Sequence, residues 1–139
     1  MSLSENNLKI FLIALHSIVE EMSVASVDIL FAKNRNAALS YPPNGDLSLD
    51  EEIALAKIKW SPPLQSALRK IFANAAANSI FSSLCLIDGI AVPNGEIGEL
   101  KSITLQDAPE DDGFNQEMLN HGFLEAYWDW CKIRRKKNW

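Results

Sequence analysis

Two cysteines and two histidines are all that this chain of 139 residues carries of the residues that most often build metal and nucleophile sites. Cys85 and Cys131 lie too far apart in sequence for a metal-binding knuckle, and two cysteines make no disulfide framework. His16 and His121 have no local spacing to serine, cysteine or acid that would argue a catalytic triad or dyad. Glycine is scarce where phosphate chemistry would need it. There is no P-loop or dinucleotide pattern, and the Gly95-Glu96-Ile97-Gly98 segment is too short to make one. No cofactor is expected on these grounds.

Uninterrupted apolar runs are short as well. None approaches the roughly 20 residues of a bilayer span, so no membrane partner is expected. The first residues lack the basic region and small-residue cleavage site of a secretory signal. A reduced, cytoplasmic protein is the expectation. What the chain has in ordinary measure is core-forming material, with 47% hydrophobic, 22% charged and 9% aromatic residues. That suits one folded domain spanning residues 1–139.

Charge is divided unevenly. Residues 1–131 hold 8 Lys or Arg against 18 Asp or Glu, a balance of −10, while residues 132–139 form a short basic tail of +5. An acidic body repels phosphates, so nucleic acid is not an expected partner, and a basic protein is.

Residues 4–41 contain neither Gly nor Pro. Ser4 reads as an N-cap, and Leu8, Phe11, Leu12, Leu15, Ile18, Val19 and Met22 recur at helical spacing as one apolar face. The pattern continues less cleanly through Val27, Leu30, Phe31 and Ala38, as one bent helix or as two with a break near residues 23–26. Tyr41-Pro42-Pro43-Asn44-Gly45 ends this region, and Ser48 with Glu51 reads as a capping box for a short helix to about Lys59 that buries Ile53 and Ile58. Ser61-Pro62-Pro63 opens a long helix with Leu64, Leu68, Ile71, Phe72, Ala75, Ile80, Leu84 and Ile87 on its buried side, favoured to end at Asp88-Gly89, the alternative being a hairpin of residues 84–87 and 90–92 across that pair. Residues 100–105 carry the best strand signal and would pair with residues 90–92. A last helix is expected over about 114–135. The expected fold class is α+β, predominantly α, with four to five helices around one core and a small two-stranded β element near residues 90–105.

Three sets of residues carry candidate chemistry. Trp128 falls on the polar face of the last helix, where an exposed indole beside carboxylates suits a binding hot spot. Glu110, Asp111 and Asp112 form an acidic loop able to meet a basic surface. Glu117, His121 and Glu125 recur every four residues, a spacing at which carboxylates and an imidazole can converge on one metal ion. The first two sets suggest a small non-enzymatic interaction protein with an acidic surface, in its sharpest form a bacterial inhibitor or immunity-type protein for a basic partner. The third suggests a metal- or small-molecule-binding protein. Homo-oligomeric scaffolding through the small residues Ala73–Ala77 is a further class.

Overall fold

The computed structural model describes residues 3–93, 95–101, 103–107, 128–129 and 131–132. Among them are three α-helices, α1 (Glu5–Phe31), α2 (Leu49–Ala56) and α3 (Pro62–Ile87), and a single 3-10 turn at Asn36–Ala38.

Each helix begins where a serine side chain can take up an orphan N–H. The Ser4 hydroxyl accepts from the Asn7 amide, and Ser61 accepts from the Leu64 amide at the start of α3, whose first turn carries Pro. At α2 the capping box is complete, with Ser48 accepting from the Glu51 amide and the Glu51 carboxylate accepting from the Ser48 amide at 2.7 Å. α2 stops at Ala56, three residues before the expected end, and Ile53 and Ile58 stay exposed.

α1 does not break at residues 23–26. Ser23 is buried and turns its hydroxyl back to the Glu20 carbonyl at 2.7 Å, so the helix satisfies this polar group internally and continues. The C-terminus of α1 then meets the start of α3. The Phe31 and Trp60 rings lie 4.5 Å apart, tilted at 48°. Leu12, Leu15, His16 and Val19 of α1 face Ala77, Ile80, Phe81 and Leu84 of α3, so the two helices pack antiparallel.

The expected β element is corrected. The described residues contain no β-strand. Gly89 takes a left-handed φ of 69°, and the amides of Ile90 and Ala91 both donate to the Cys85 carbonyl, at 2.9 and 3.0 Å. With Gly89 also donating to Leu86, this is a Schellman closure of α3. The backbone of residues 90–91 is spent on that cap and is not available for a ladder. Residues 100–105 therefore have β-branched side chains but no partner strand among the described residues, and strand preference without a partner does not make a sheet. Among the described residues, three α-helices and no β-strand stand where four to five helices with a two-stranded β element were expected. The expected helix over 114–135 lies outside the described residues, apart from helical positions at Trp128, Asp129, Cys131 and Lys132.

Candidate interaction surface

α1 is apolar on more of its circumference than α3 can cover. Val27, at 1% exposed, is fully buried, and with Ser23 it marks the line of closest packing. On either side of this line Val19, Ser26, Ile29 and Leu30 are half-buried. The sequence placed Leu8, Phe11, Leu12, Leu15, Ile18, Val19 and Met22 on one core face. The fold divides them. Leu12, Leu15 and Val19 line the junction with α3, Leu12 still 41% exposed, and Leu8, Phe11, Ile18 and Met22 keep 36–48% of their surface exposed; elsewhere on α1 Ile10 and Ile13 are 58% and 59% exposed.

One row of α1, which takes in the half-buried Leu15 and Ile29, has a regular pattern. Leu8, Phe11, Leu15, Ile18, Met22, Ala25 and Ile29 follow one another at alternating spacings of three and four. That is the spacing of a coiled-coil seam, which keeps a helix face turned toward a partner helix. Leu15 and Ile29 belong both to this row and to the margin of the α3 contact, so the row borders the α1–α3 junction. Glu21 and Asp28 run along its far side and are exposed.

Between the row and α3 lies a groove of about 320 Å³, lined by Leu12, Leu15, Val19, Ala77, Ile80 and Phe81 among others. His16 and Asn78 supply its polar rim. The small residues singled out in the sequence serve this junction in part. Ala73, Ala76 and Ala77 are half-buried and Ala75 is exposed.

α3 has a different outer surface. Arg69, Lys70, Asn74, Asn78, Ser79, Ser82 and Ser83 are exposed, and the Ser79 and Ser83 hydroxyls donate to carbonyls one turn back, both at 2.9 Å. Ile71 and Phe81 are its exposed large apolar residues. By length and composition alone, both α1 and α3 are long and apolar enough to cross a membrane.

The residues nominated from the sequence are only partly within view. Trp128 is helical and 49% exposed. One residue on, Asp129 accepts from the Lys132 ammonium at 2.8 Å, and this bond raises the Lys132 pKa. Cys131, on the same turn, is half-buried. Glu110, Asp111, Asp112, Glu117, His121 and Glu125 lie outside the described residues. Among the described residues no three His, Cys, Asp or Glu side chains are placed to hold a metal ion. Comparison with known protein families, characterised proteins and solved structures finds no match for this chain.

The row on α1 was readable in principle. Seven large apolar residues on one helix of a two-helix contact subtend more arc than one neighbour covers. The missing information was where α3 would sit, and that depends on the loop and caps between the helices.

Proposed function

We propose that this chain is a non-enzymatic interaction protein that binds another protein helix along the outer face of α1. The observation that carries this reading is the row Leu8, Phe11, Ile18 and Met22, large apolar side chains in register and uncovered by α3. An exposed apolar stripe of this length costs free energy in water, and proteins keep such stripes where something covers them. The bound element is a helix, because knobs spaced by three and four fit the holes of a second helix.

Charge narrows the partner. Glu21 and Asp28 border the row, so positive side chains beside the bound helix's apolar face would be favoured. This agrees with the acidic balance of residues 1–131. Trp128, half-exposed beside the Asp129–Lys132 pair, offers a second contact point of the type that dominates binding energy.

A protein partner is favoured over a bilayer by two features. Glu20 and Glu21 sit close to the midpoint of α1, where each charge would cost about 2.5–3.5 kcal/mol or more at the centre of a membrane. The outer surface of α3 is lined with Asn and Ser.

Size fractionation of native lysate tests the reading, comparing the wild-type chain with Ile18→Glu. The wild-type chain is expected in an assembly and the variant, equally helical, at the mass of a single chain. A wild-type chain that runs alone at every dilution would contradict it.

A further inference from the structure

We draw no further inference here: the strongest candidate, the apolar groove between α1 and α3 lined by Leu12, Leu15, Val19, Ala77, Ile80 and Phe81, carries none because nothing in the structure shows what covers it.

Discussion

The Arg35 guanidinium donates to the Glu52 carboxylate at 2.6 Å and, through Nε, to the Leu30 carbonyl at 3.1 Å. One side chain thereby ties the last turn of α1 to α2. Arg35 also leads into the 3-10 turn, where Asn36 both accepts from the Leu47 amide at 2.7 Å and donates to the Leu47 carbonyl at 3.2 Å. These bonds hold the long connection between α1 and α3 against the end of the helix pair.

The pair is largely withdrawn from solvent, with 12% of the Arg35 side chain and 25% of the Glu52 side chain accessible. Glu52→Ala is expected to cost about 1–3 kcal/mol, since it strands a guanidinium in a poorly solvated position. Glu52→Gln keeps an acceptor and should cost less. Urea denaturation of both variants checks the order, and equal losses would mean that charge contributes nothing to this contact.

Val27 and Ser23 share the packed line of α1 but should respond differently. Val27→Ala removes two methyl groups from a fully buried site and should destabilise by about 1–3 kcal/mol. Ser23→Ala removes a hydroxyl bonded within its own helix and installs the best helix former, so the change should stay within about 0.5 kcal/mol. Thermal melts of the two variants at matched concentration give the comparison.

Asp107 fastens the segment that follows α3 to the start of α1. Its carboxylate accepts from the Asn7 side-chain amide at 2.8 Å and from the Ser4 backbone amide at 3.2 Å. The Asn7 bond lowers the Asp107 pKa below its ordinary 3.8, with Ser4 acting in the same direction against desolvation. A carboxyl lowered on folding contributes stability that is complete above the ordinary value and is lost as pH falls through the lowered one. NMR titration should therefore find Asp107 below 3.8 in the wild type and closer to it in Asn7→Ala. The attachment should hold at neutral pH and release only in strong acid.

Much of the local structure was legible because it is encoded within a few residues. Ser4, Ser48 with Glu51, and Ser61 followed by two prolines all start helices as their side-chain chemistry dictates. The end of α3 at Ile87, before Asp88 and Gly89, is the favoured of two readings, because an Asp-Gly pair serves a helix end and a hairpin turn alike. The errors arose where a distant contact decides. Residues 100–105 look like a strand, but the chain that would pair with them closes α3 instead. Ser23 and Ser26 look like a break, but Ser23 is buried and bonded to its own helix. The candidate surface shows the same limit. Spacing put Leu8, Phe11, Ile18 and Met22 on a core face, and only the position of α3 leaves them at the surface.

Among the described residues, Leu8, Phe11, Ile18 and Met22 of α1 stay exposed beside α3. Urea unfolding of Ile18→Glu, at a concentration where the wild type runs as a single chain, tests this most directly. The variant is expected to keep a stability within about 1 kcal/mol of wild type, as for other surface substitutions. A loss of about 3 kcal/mol or more would mean that Ile18 is buried in the folded monomer, and would contradict the account.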